Sequence, residues 1–291
     1  MSALSRCLPM LLLCACTAGA AQAWTPYHAH FSGGPTAPAH YVHLQLDMPS
    51  EFHEAQRQQL RDHYEICSSG KEAAALIGEP VEPYLPLPAG GLPERPWVQD
   101  IEIYYGAGRG VVVHTFTHHY IDLKKSRRRP QHKGDCGLLK STTRTVLIRD
   151  AAQSCKIPLP AAGSRLEVRC GAGTGEAEYL YRAGLPDEAL GVVKPTGETG
   201  SAAGRRCRVF GTQEDLQFCV DELNELGGAP MPLLSPYNRT HAGLLLRQNI
   251  GNLRYVAQRV VLDIQVGEGL FRVPENGAAE SALPPLPADH R

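Results

Sequence analysis

Apolar and polar residues alternate through most of this chain with the two-residue period of β-strands. From His40 to Met48, the residues Val42, Leu44, Leu46 and Met48 fall on one face and Tyr41, His43, Gln45 and Asp47 on the other. Trp97 to Tyr105 and Gly110 to Leu123 read as two strands joined through Gly106-Ala107-Gly108-Arg109. Further strands are predicted over 143–149, 206–210, 244–248 and 255–266. Helical signals are fewer. Ser50 is placed to cap a helix over Glu51–Cys67, with Glu51 and Glu54 in its first turn and Leu60, Tyr64 and Cys67 on one side. That helix is expected to pack on a sheet. Thr212 is placed to cap a second helix running to Leu226, stopped by Gly227-Gly228. Residues 24–39 and 171–204 read as irregular.

Pro80, Pro83, Pro86, Pro88, Pro93 and Pro96 interrupt the stretch 78–96, which is a weak candidate for a boundary. Residues 274–291 are rich in Pro, Ala and Glu and read as a disordered tail. One domain over 24–273 is therefore expected. Repeated βαβ alternation is absent. The predicted class is α+β, mainly antiparallel β with one or two helices, and disulfide-stapled.

The first 23 residues change the picture of where the chain works. Arg6 is their only charge; an apolar run from Leu8 to Cys16 follows, then small residues ending in Ala21-Gln22-Ala23. This order is that of a secretory signal peptide cleaved before Trp24. Leu13-Cys14-Ala15-Cys16 also resembles the lipobox of bacterial lipoproteins, with Cys16 as the lipidated residue, although Cys14 fits that pattern poorly. A periplasmic or extracellular protein is expected, with a lipoprotein anchored through Cys16 as the alternative. No stretch after residue 23 has the length and apolarity of a membrane helix.

Nine cysteines occur, and Cys7, Cys14 and Cys16 lie in the signal-like segment. The other six are Cys67, Cys136, Cys155, Cys170, Cys207 and Cys219, an even set that suits disulfides in an exported protein and allows fifteen pairings. One pairing follows from a hairpin centred between Ala162 and Gly163. There Leu159 faces Leu166, Ile157 faces Val168, and Cys155 faces Cys170. Cys207–Cys219 closes a short loop, which leaves Cys67 with Cys136. No C-x-x-C follows residue 23, so neither a redox dithiol nor a zinc ribbon is indicated.

Charge is nearly balanced, 29 Lys and Arg against 30 Asp and Glu, and gives no hint of a nucleic-acid partner. Glycine (29) and proline (23) are abundant, in keeping with many turns. Histidine supplies the candidate chemistry. In an extended chain His28 and His30 share a face, and His40 and His43 follow closely, a set that would suit zinc or copper; otherwise no cofactor is expected. On a strand, His114, Phe116, His118, Tyr120 and Asp122 share one face. His114 and His118 are then roughly 13 Å apart, which favours buried, hydrogen-bonded rings over a shared ligand. Lys124, Lys125, Arg127, Arg128 and Arg129 form a basic run able to touch anionic lipid or another polyanion. The glycine-rich stretch 170–176 lacks the lysine and spacing of a phosphate loop. The hydrolase signatures G-x-S-x-G, H-E-x-x-H and S-x-x-K are absent after residue 23. The functional expectation is a non-enzymatic, envelope-associated binding or structural domain whose partner is an unknown envelope component. The alternatives are a histidine-based metal-binding protein or metal-dependent hydrolase, and a surface module using the basic run.

Overall fold

The computed structural model describes residues 25–79, 81, 83–106, 109–123, 134–150, 153–159, 165–172, 194–213, 216–221, 244–250 and 253–278. The signal-like segment with Cys16, the basic run 124–129 and the end of the chain after 278 lie outside them.

The described residues form one eleven-stranded sheet and one α-helix. In chain order these are β1 (Thr36–Asp47), α1 (Ser50–Leu76), β2 (Trp97–Gly106), β3 (Arg109–Ile121), β4 (Leu138–Arg149), β5 (Gln153–Leu159), β6 (Arg169–Ala172), β7 (Lys194–Ala202), β8 (Arg205–Gln213), β9 (Leu216–Asp221), β10 (Leu244–Ile250) and β11 (Leu253–Gly267). Short 3-10 turns cover Tyr27–Phe31 and Glu268–Phe271. No described helix is long and apolar enough to cross a membrane.

Across the sheet the strands run β6-β5-β4-β3-β2-β1-β11-β10-β9-β8-β7. β1 is central, with β2 on one side and β11 on the other. One wing meanders outward from β2 to β6, and the other meanders inward from β7 to β11. Every pair is antiparallel. Counting directions outward from β1, the two edge strands β6 and β7 therefore point the same way. This is the mainly antiparallel α+β class that the pattern implied.

Both faces of the central strands are covered. On one face Val42, Leu44 and Leu46 of β1 join Ile101, Ile103, Val112 and Leu147, and the second wing adds Val209, Phe210, Phe218 and Leu244 to Leu246. On the other face Tyr41, Tyr104, Val111, Val113, Val146, Ile148 and Ile157 pack with Tyr27, Leu270 and Phe271 from the 3-10 turns. Double coverage explains why Val111, Val112 and Val113 are all buried in succession rather than alternately. Full burial of a side chain such as Leu44 contributes about 1.5–3 kcal/mol.

Three cystine bridges hold the sheet and helix. Cys155–Cys170 lies directly across β5 and β6, in the register the hairpin argument gave. Cys207–Cys219 crosses β8 and β9. Cys67–Cys136 ties the middle of α1 to the chain just before β4 and packs with Leu60 and Ile121.

Several expectations are corrected. α1 continues nine residues past Cys67, to Leu76, through Lys71-Glu72-Ala73-Ala74-Ala75, all strong helix formers apart from the preceding Gly70. Its N-cap position is Pro49, so Ser50 lies inside the helix and does not cap it. Where the second helix was predicted, the described residues 212–213 and 216–221 are strand. Phe218, Cys219 and Val220 are consecutively buried, which suits a strand covered on both faces and not an amphipathic helix. Its last residues, 222–226, lie outside the described set. β7 falls where a loop was expected, because its Thr-Gly-Glu-Thr-Gly-Ser composition carries no apolar alternation. Leu166 does not extend β6 toward Leu159. It exchanges backbone hydrogen bonds with the 274–278 segment instead, its N–H to Ala278 and its carbonyl from Gly277.

Candidate functional site

A concave feature of the described surface lies where the end of β1 turns into α1. A cleft of about 490 Å³ is lined by Gln45, Leu46, Asp47, Met48, Ser50, His53, Arg57, Glu94, Arg95 and Gln258. Local sequence places each wall. Pro49 breaks β1 and starts the helix, so Ser50, His53 and Arg57 follow at helical spacing on one side of α1. The segment before β2 carries Arg95 to Gln45 and the Glu94 carbonyl to Arg57. Gln258 arrives through a β-bulge: β1–β11 pairing steps from His43↔Arg259 to Leu44↔Ala257, leaving Gln258 unpaired.

Two arginines and two acids line the cleft. Arg95 donates to Gln45 Oε1 at 2.6 Å and to the Leu46 carbonyl at 3.0 Å, both neutral acceptors. Arg57 donates to the Glu94 carbonyl at 2.7 Å and pairs with Glu54. His53 is 8% exposed, and its Nδ1 is buried without a hydrogen-bond partner. Burial, then the positive charges of Arg95 and Arg57, hold the His53 ring below its ordinary pKa. Of the two acids in the lining, Asp47 pairs with Arg254 at 3.6 Å, and Glu94 is exposed.

Behind the cleft a polar chain runs into the sheet. Gln45 Nε2 donates to Asp100 Oδ1 at 3.0 Å, and His43 Nε2 lies 2.8 Å from the same oxygen, with His43 and Asp100 both buried. One row further, Glu102 Oε2 accepts from the Tyr27 N–H at 2.9 Å, from the Tyr41 hydroxyl at 3.3 Å and from the Tyr104 hydroxyl. The Tyr104 oxygen in turn accepts the His28 N–H at 3.2 Å. Burial pushes the Glu102 carboxyl above the ordinary carboxylate range, against the opposing effect of the Tyr104 hydrogen bond. Arg144, 5% exposed, stacks over the Tyr27 ring at 5.3 Å and has its own pKa lowered by burial.

The four histidines singled out in the sequence are distributed among these groups. His28 and His30 lie on the 3-10 turn Tyr27–Phe31, not on an extended segment, so the spacing argument for a shared face does not apply there. His28 Nδ1 is 3.2 Å from the Tyr104 hydroxyl, and His30 is exposed. His43 meets Asp100. His40 accepts the Asp263 N–H at 3.2 Å, at a second bulge where Asp263 takes φ +53°. Among the described residues, no group of three or more His, Cys, Asp and Glu side chains is arranged to hold a metal ion.

The His114 face follows the predicted alternation but not the predicted bonding. His114 Nε2 and His118 Nδ1 are buried without partners. His118 instead stacks on Phe116 at 5.1 Å, with Trp97 edge-on to Phe116 at 5.3 Å and Tyr120 tilted against His118 at 5.6 Å. Phe52 of α1 joins the ladder through Trp97 at 5.3 Å.

Arg57, Arg95, His53 and Gln258 were not singled out by sequence reasoning. The one local signal was Pro49-Ser50, which located the helix start without revealing that a separate loop delivers Arg95 to it. No protein-family model, curated protein or solved structure matches the chain.

Proposed function

We propose that this chain is an exported, non-enzymatic binding protein of the cell envelope, working in the periplasm or outside the cell after removal of residues 1–23. The observation that carries the reading is the pairing of Cys67, Cys136, Cys155, Cys170, Cys207 and Cys219 into three bridges. Disulfides persist in oxidising compartments, and here they staple both wings of the sheet and the helix. The signal-like order of Arg6, the apolar run and Ala21-Gln22-Ala23 supports the same address. The cleft beside α1 supports a binding role, since ligand sites are concave and carry a few placed polar groups. Cell fractionation of the full chain, beside a version lacking residues 2–23, tests the address. The full chain is expected in the envelope or medium and the truncated one inside the cell. Equal retention of both inside the cell would overturn the reading.

A further inference from the structure

We propose that the cleft between the start of α1 and Arg95 is a binding site for the oxyanion group, phosphate or carboxylate, of a ligand. The assignment deepens the binding-protein reading. It is tested by affinity where that reading is tested by location, so either can fail without the other.

Four independent features converge there. First, α1 begins behind Pro49, which has no side chain able to cap, and no side-chain cap hydrogen bond is made. The Phe52 and His53 N–H groups reach back to the Pro49 carbonyl at 3.0 and 3.4 Å. Ser50 and Glu51 N–H remain as the first-turn donors of a 27-residue helix, at its positive end. Ser50 lines the cleft. Second, Arg95 and Arg57 flank that end, and the hydrogen bonds of Arg95 go only to neutral oxygens, so its charge stays available to an anion. Third, His53 projects from the same turn, more than nine-tenths buried, with a ring nitrogen that finds no partner. A buried polar group without a partner is costly, and a bound water or ion is one way to satisfy it. Fourth, the bulge at Gln258 carries an amide to the opposite wall. Glu54 pairs with Arg57 and Asp47 lies 3.6 Å from Arg254, so the charge most available to an anion is that of Arg95.

The chemistry common to phosphate and carboxylate is a charged, multi-acceptor oxygen group. A planar guanidinium and a helix N-terminus bind both. The source of the group is either a small soluble anion or a lipid headgroup.

The test is isothermal titration of the full exported protein with inorganic phosphate and with succinate, together with sedimentation on phosphatidylglycerol and phosphatidylcholine vesicles. Saturable binding of at least one probe is expected, weakened at least tenfold by Arg95→Gln and by Arg57→Gln. Arg169→Gln, at an exposed arginine paired with Glu167, should leave it unchanged. His53→Gln is the second line of test should an arginine variant fail to fold. It keeps a polar side chain on the helix and should shift affinity without shifting the circular dichroism spectrum. Binding of free anion without vesicles identifies a soluble ligand. Vesicle sedimentation that phosphate competes away identifies a headgroup. No saturation with any probe, or equal affinity in Arg95→Gln and Arg57→Gln, overturns the assignment.

Discussion

Glu102 takes three donors on one oxygen inside the sheet, and its pKa lies above the ordinary value of 4.5 because burial outweighs those donors. A carboxyl whose folded pKa is raised stabilises the fold fully below its unfolded pKa. That contribution is lost as pH rises through the folded value. Wild-type stability relative to Glu102→Gln is therefore expected to fall as pH rises above the ordinary glutamate range. Urea-unfolding midpoints of the two proteins across that rise read the difference. A constant difference between them would show that Glu102 does not titrate differently on folding. At this scale the sequence revealed alternation but not partners. It put Tyr41 and His43 together on one face, as observed. It could not show that Tyr27, fifteen or so residues upstream, closes over Glu102 of a different strand. The approach is tight: a Cβ on Gly267 would lie 1.7 Å from the Phe31 carbonyl oxygen, so only glycine lets this turn seat against β11. Nothing in a single glycine just past a predicted strand announces such a contact.

The elements divide by how local their determinants are. β1 to β5 were legible because each carries its own apolar period and ends at a turn. α1 was legible at its start, where Pro49-Ser50 breaks the strand, and not at its end, where the alanine-rich helical run follows a polar and glycine-containing stretch. Cys67, Lys71 and Ala74 of this half are buried, but Ile66 and Leu76 are exposed, at 66% and 88%, so large apolar side chains do not hold it. The Cys67–Cys136 bridge does, together with the Leu60 and Ile121 contact. It closes a separation of 69 residues, against 12 for Cys207–Cys219. On loop entropy, its loss costs about 4 kcal/mol and that of the shorter bridge about 3 kcal/mol. Replacing Cys67 and Cys136 together with Ser is expected to lower stability more than replacing Cys207 and Cys219. It should also speed amide exchange in the second half of α1. Protection there unchanged from wild type would contradict the anchoring role. The β8–β9 hairpin was misread because Thr212, the acidic Glu214 and Asp215, and a terminal Gly-Gly form a complete local helix signature. Its consecutive buried residues and its bridge to Cys207 are long-range facts.

For the whole molecule, the central strand β1 pairs with the last strand, β11. That pairing is the longest-range one in the fold, from Thr36↔Gly267 to Asp47↔Arg254. The antiparallel class was readable from the missing βαβ alternation. The strand order was not, because no local pattern encodes which of two apolar strands flanks β1. The bridges give a direct check on the pairing of β5 with β6, on that of β8 with β9, and on the seat of α1 against the chain before β4. Non-reducing digestion and mass mapping of the protein recovered from the envelope or medium would read them and the N-terminus at once. The expected result is a chain beginning at Trp24 with Cys67 linked to Cys136, Cys155 to Cys170 and Cys207 to Cys219. Free thiols at these six positions, other linkages among them, or an intact residue 1–23 segment would contradict an exported, disulfide-stapled sheet.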